Sequence, residues 1–440
     1  AKLTLYNTTL VLQDNLTVGE IFKTTGTEPT LQFNNNSLDL TSDNVQMQLG
    51  TSLDLNDILT SEKTALLLSA DSTLSRSSAF TLGSINLQNN ALSLGSAESD
   101  LTVTGSVTFG STSSQINTGG ADLSLESAVS LADGKLISTA GTLAFEQGAA
   151  LGNNAVLDFS GSKIELSGLL NISGGTLTSS STSNLELQSA SSLSSSAQFT
   201  VPSLDLNGRK LSLSSSSAHL VISSPFAVGT NESVDTKAGS LTLNGTATLE
   251  NEAAIESSSG TLTFNGTVSL DNSSILLTGG SALFNSAAQI SGGELKLYDS
   301  SLTLAAGVSM TNSSKLSLKN TNFAGSSKVA LTGGTLELGG TIGNLSSVQT
   351  DTNTSLELNS DTTISRTDPM EAAGLNLNAF SLTLGSDTTD LTFDSPIVLN
   401  NAASELITQG ADLVLQDSLQ LTAGKITSTA GTFTFTKGGS

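Results

Sequence analysis

The stretch GTLTFNGTVSLDNSSILLTGG, residues 260–280, carries apolar residues in three pairs: Leu262 and Phe264, Val268 and Leu270, Ile275 and Leu277. Within each pair the spacing is two, which turns both side chains to one face of an extended strand. Asn and Gly fall between the pairs, where turns need residues that tolerate unusual backbone. Helical spacing does not persist in this stretch or elsewhere. The stretch therefore predicts three short strands separated by tight turns.

The pattern recurs along the chain at a spacing of 20 or 21. Leu241, Leu243, Ala247 and Leu249 stand one such period before Leu262, Phe264, Val268 and Leu270. Ala282, Phe284, Ala288 and Ile290 stand one period after them, and Leu302, Leu304, Val308 and Met310 one period after those. Phe323, Val329 and Leu331 continue the series, as Leu123, Leu143, Ile164 and Leu185 do upstream. Three strands in each period make one coil of an all-β parallel β-helix, a β-solenoid. Right-handed connections are expected, because they dominate among parallel strands. Leu, Ile, Val and Phe fill the interior, while Ser and Thr are expected to face outward. Roughly 21 coils at about 4.8 Å each would extend on the order of 100 Å.

Two sets of residues mark the predicted turns. Asn251, Asn272, Gly292, Asn312 and Gly333 recur at the coil period, which predicts a turn position with positive φ. Asn244, Asn265 and Asn285 follow the first strand of successive coils, which predicts a ladder of amide side chains.

A longer period lies above the coil. GADLVLQDSLQLTAGKITSTAGTFTF at 410–435 answers GADLSLESAVSLADGKLISTAGTLAF at 120–145, an offset of 290. A middle copy follows the first at an offset of 119, with Phe199, Leu204 and Leu206 answering Phe80, Ile85 and Leu87. Each copy opens with the same short step in place of a full period: Leu66 to Phe80, Leu185 to Phe199, Leu356 to Met370. This step predicts a loop, a change of side or a shortened coil. Duplicated blocks lie near 66–184, 185–355 and 356–440 of one continuous 1–440 solenoid, read as a segment of a longer chain or fibre. The Ser-rich run at 178–196 is the weakest stretch and is expected to be a loop.

Composition narrows the function. The 440 residues include 39 acidic and 16 basic ones, for a net charge of −23. Such a polyanion repels phosphate backbones, so nucleic acid is excluded as a partner. No apolar run is long enough to insert in a membrane. The chain has no Cys and one His, His219, read as an exposed residue at a strand edge. A His-based triad could be built only through His219, nothing resembles a nucleophile elbow, and no catalytic residue, cofactor or metal site is expected. Asp71, Asp100 and Asp122 recur as Asp361, Asp390 and Asp412, which favours a structural role copied with the blocks. The few Lys and Arg are expected to form a scattered, solvated surface. Asn-x-Ser/Thr sequons at Asn244, Asn265, Asn272, Asn312 and Asn353 follow from Asn in turns beside abundant Ser and Thr.

The coils GSLTLNGTATLENEAAIESSS and GTLTFNGTVSLDNSSILLTGG resemble those of bacterial autotransporter passenger regions and of filamentous-haemagglutinin-like adhesins. The resemblance covers nearly the whole chain. It implies an extracellular location on a bacterial cell surface and a structural or adhesive role as a stalk or filament. Expected partners are further copies end to end in a fibre, adjoining coils of a longer chain, or a host or neighbouring cell surface. The alternative is a carbohydrate-active or carbohydrate-binding β-helix of tailspike or lyase type, which needs an acidic groove and aromatic platforms. The chain has no Trp and two Tyr, Tyr6 and Tyr298.

Overall fold

The quoted stretch forms strands Thr261–Phe264, Val268–Asp271 and Ser274–Leu277 in a computed structural model that describes residues 2–26 and 29–437. All six apolar pair residues are buried. Each strand pairs in parallel with the equivalent strand one coil away. Leu262 lies between Leu241 and Ala282, Val268 between Ala247 and Ala288, and Ile275 between Ile255 and Leu295. Parallel pairing in register stacks like on like. The Phe264 and Phe284 rings therefore overlap at a centroid separation of 4.7 Å, a contact worth about 0.5–1.5 kcal/mol beyond simple burial. Each Leu or Ile removed from water contributes roughly 1.5–3 kcal/mol. An all-β chain with such stacked rows is a parallel β-solenoid.

Backbone contacts group the chain into two units, Ala1–Leu211 and Ser212–Ser440. The second contains the coils just described. Its rows run through Leu220, Leu241, Leu262, Ala282, Leu302 and Phe323; through Phe226, Ala247, Val268, Ala288, Val308, Val329 and Val348; and through Val234, Ile255, Ile275, Leu295, Leu316, Leu336 and Leu356. Leu345–Ser347 forms a 3-10 turn, the one helical element among the described residues.

The first unit is built the same way. One row stacks Phe80, Leu101, Leu123, Leu143, Ile164, Leu185 and Leu204. A second stacks Val129, Ala149, Leu170 and Leu193, and a third Ile116, Leu136, Leu157 and Leu177. Strand Val129–Ile137 serves two rows by bending between Leu131 and Asp133, where the register shifts.

The short step that opens each block is a change of side. Leu66 sits in a row with Met47 and Ile85, whereas Phe80 belongs to the row of Leu101. Along a single row the coil that opens each block runs from Leu66 to Ile85, from Leu185 to Leu204 and from Leu356 to Leu375, the same short step as from Met47 to Leu66. It is shortened by a one-residue corner at Gly83, Pro202 or Ala373 between neighbouring strands. The Gly83 and Ala373 N–H groups donate to Thr64 and Thr354 oxygens at 2.8 Å, a bond that Pro202 cannot make.

Each short coil also interrupts one row. Among the described residues no strand pairing joins Ile58–Leu59 to Phe80–Leu82, Thr176–Thr178 to Gln198–Val201, or Val348–Gln349 to Met370–Ala372. The three interruptions stand at equivalent places in the three blocks.

Two expectations are corrected. The Ser-rich run at 178–196 holds strands Asn184–Leu187 and Ser191–Ser195 in place of a loop, with Ser191 and Ser195 turned inward. Nor do all Ser and Thr face outward. Buried hydroxyls at coil corners donate to carbonyls of the preceding coil: Thr64 to Leu40 at 2.8 Å, Ser183 to Phe159 at 2.7 Å, Ser273 to Leu249 at 3.1 Å and Thr354 to Leu331 at 3.1 Å. A small hydroxyl satisfies its own polarity locally, so burial costs it little.

Candidate functional site

The surface features follow from stacking. Asn251, Asn272, Gly292, Asn312 and Gly333 have φ of 44°, 47°, 66°, 54° and 66°. Asn and Gly enter the left-handed region most readily, which accounts for their alternation in this column. Beside the first strand, the Asn285 amide donates to Asn265 Oδ1 at 2.7 Å, and the Asn265 amide donates to Asn244 Oδ1 at 2.8 Å. Asn265, in the middle, both donates along the stack and accepts from it.

The recurrent aspartates do matching work in the two units. Asp71 Oδ1 accepts the Ala91 N–H at 2.8 Å, and Asp361 Oδ1 accepts that of Ser381 at 2.9 Å. Asp100 and Asp390 accept the N–H of Asp122 and Asp412, both at 2.9 Å. Asp122 and Asp412 accept those of Thr142 and Thr432, both at 2.6 Å. These carboxylates tie one coil to the next at the corners. Charge-assisted bonds of this kind are stronger than neutral ones.

Ion pairs lie flat on strand faces. Lys315 pairs with Glu337 one coil on, and Lys163 with Glu186 at 3.2 Å. Burial pushes the Glu337 carboxyl up, but Lys315 and the Asn359 amide, 2.6 Å away, hold it below its ordinary value. Burial also pushes Asp351 up, and the Thr354 hydroxyl at 2.7 Å, the Gly333 N–H at 3.1 Å and Asn353 pull it lower overall. His219 is half-buried at the start of His219–Ile222, and its Nε2 shares a 2.8 Å hydrogen bond with the Thr242 hydroxyl.

The basic residues are not all on the surface. Arg366 is 5% exposed, the one charged side chain among the buried polar residues described. Its guanidinium fills the interruption before Met370. Nη1 donates to the Leu345 and Val348 oxygens at 3.1 and 3.0 Å, Nε to that of Asp368 at 2.8 Å, and Nη2 to that of Pro369 at 3.4 Å. Burial lowers its pKa to about 10, which keeps it cationic at neutral pH. Arg76 occupies the matching position of the first block, with Nε buried and unpartnered, while Ser195 occupies that of the middle block. Sequence reading missed Arg366 because nothing in TISRTDPM is apolar around it except Ile364 and Met370. The repeat alignment, which places two Arg and one Ser at one position, was the available signal.

Ser195 borders an open cleft of about 670 Å³, lined also by Gly174, Leu177, Ala197, Gln198 and Phe199. Another, of about 570 Å³, lies between residues 29–35 and 52–57 and is lined by Phe33, Asp54 and Asp57. Among the described residues no group of three or more His, Asp or Glu is placed to hold a metal, and no helix is long and apolar enough to cross a membrane. Comparison with family models, curated proteins and solved structures finds no match to this chain.

Proposed function

We propose that the chain is an extracellular structural and adhesive segment of a bacterial surface protein, a stalk or filament-forming array of coils without a catalytic site. The observation that carries this reading is how the polar side chains are used. Asn, Asp, Ser and Thr that would furnish a site are engaged in coil-to-coil bonds, from the Asn244–Asn265–Asn285 ladder to the paired roles of Asp122 and Asp412. The reading also draws on the coil resemblance and on the acidic, Cys-free composition.

Stacking by further coils, of the same chain or of a second copy, is part of the proposal. Electron microscopy of purified protein at low and high concentration tests the proposal. Elongated particles that lengthen with concentration are expected. Compact globules at both concentrations would contradict it.

A further inference from the structure

The geometry points to a guanidinium-binding site in the cleft at Ser195, where the middle block lacks the arginine that seals the last block. Such a site would exist whether or not the chain serves as a stalk or filament. The two interruptions share one frame. Thr350 Oγ1 donates across the break to the Glu371 oxygen at 2.5 Å, and Ser179 Oγ donates across the other, at the equivalent positions of the middle block, to the Thr200 oxygen at 3.4 Å. The same alignment carries the four carbonyls that hold Arg366, those of Leu345, Val348, Asp368 and Pro369, onto Gly174, Leu177, Ala197 and Gln198. All four of these residues line the open cleft.

Ser195 replaces part of what the arginine does. Its hydroxyl donates to the Ala197 oxygen at 2.7 Å, as Arg366 Nε does to Asp368. The other three carbonyls answer to the two Nη atoms, which Ser195 cannot supply. The Thr178 oxygen accepts from Phe159 N–H on the preceding coil at 3.0 Å, so alternation along the strand turns the Leu177 oxygen toward the break. A planar fork of N–H donors matches such divergent carbonyls, and a compact ammonium does not. The surrounding chain, at a net charge of −23, favours a cation. Ala197 stands where the last block has Asp368, so carbonyls carry the recognition.

The ligand is therefore a guanidinium group, either a small free cation or an arginine side chain. Equilibrium dialysis of the full chain against arginine amide and lysine amide tests this. The site predicts saturable one-to-one binding of arginine amide, at least tenfold tighter than lysine amide, and its loss in Ser195→Arg, which supplies the plug internally. Arg366→Ser opens a second cleft and should raise the stoichiometry to two, which provides an independent variant should Ser195→Arg not fold. Equal binding of ethylguanidinium and a Gly-Arg-Gly peptide assigns the site to a free cation, and tighter binding of the peptide assigns it to a side chain; both uphold the site. No saturable binding, equal affinity for lysine amide, or full binding by folded Ser195→Arg would overturn it, leaving a cleft filled by water.

Discussion

The Arg366 guanidinium donates to the Val348 carbonyl at 3.0 Å across a place where the strand ladder stops. The bond replaces the N–H that the next strand would have provided. Removing the side chain leaves carbonyls of Leu345, Val348, Asp368 and Pro369 in a poorly hydrated break. Arg366→Ala is expected to destabilise the surrounding coils by about 2–4 kcal/mol, since each buried acceptor left unmade costs about 1–3 kcal/mol and some recover water. Hydrogen exchange should quicken at residues 345–372 and stay unchanged at 240–300. Uniform loss of protection throughout would show that the effect is not local.

The turn column separates backbone conformation from side-chain bonding. Asn272 sits at φ 47°. Asn272→Gly should alter stability by less than about 0.5 kcal/mol, because Gly enters this region freely. Asn272→Val should cost about 1–2 kcal/mol, because a β-branched residue is strained there. Denaturant unfolding followed by circular dichroism compares the two, and equal losses would contradict the role assigned to the turn.

The amide ladder makes a complementary prediction. Asn265 has one bond to each neighbouring coil. Asn265→Ala should cost about 1–2 kcal/mol, at about 1 kcal/mol per bond, whereas Asn244→Ala loses one of these bonds and should cost about half as much. Amide side-chain exchange measured by NMR should quicken at Asn285 in the Asn265 variant.

Core stacking sets the largest effect. Phe264 is buried against Phe284. Phe264→Ala should cost about 3–5 kcal/mol through lost burial and the cavity left behind. Limited proteolysis should then cut within 255–290, and continued resistance there would contradict stacking as the source of stability.

Acid should weaken the corner at Asp351. Its folded pKa lies below its ordinary value, so its contribution is complete above the unfolded pKa of about 3.9 and is lost as pH falls through the folded value. Asp351→Asn should lower stability at pH 6 and leave it nearly unchanged near pH 2. A variant equally harmful at both would contradict the carboxylate's role.

The period-2 pairs at Leu262, Val268 and Ile275 made the coil legible in the sequence, because buried positions in a stacked strand admit little but apolar residues. Asn272 and Asn265 were legible for a related reason, since left-handed turns and amide ladders favour few residue types. The inward Ser191 and Ser195 were hidden, as Ser suits both faces of a strand and erases the alternation. The change of side at Leu66 to Phe80 was seen as an irregularity, but a step along the chain does not reveal which row receives each residue. Arg366 was hidden because its partners are backbone carbonyls, which carry no sequence signal. No charged residue opposite it announces the contact.

Positions one coil period apart stand on adjacent rungs, and paired spin labels measure that proximity. Ser269 and Gln289 are register partners and both are exposed, and the absence of Cys makes Ser269→Cys and Gln289→Cys the sole labelling sites. Labels on neighbouring rungs about 4.8 Å apart should show strong dipolar broadening, and labels at Ser269 and Ser309, two rungs apart, clearly weaker broadening. Broadening for Ser269 and Gln289 no stronger than for Ser269 and Ser309 would contradict the stacked coil and everything built on it.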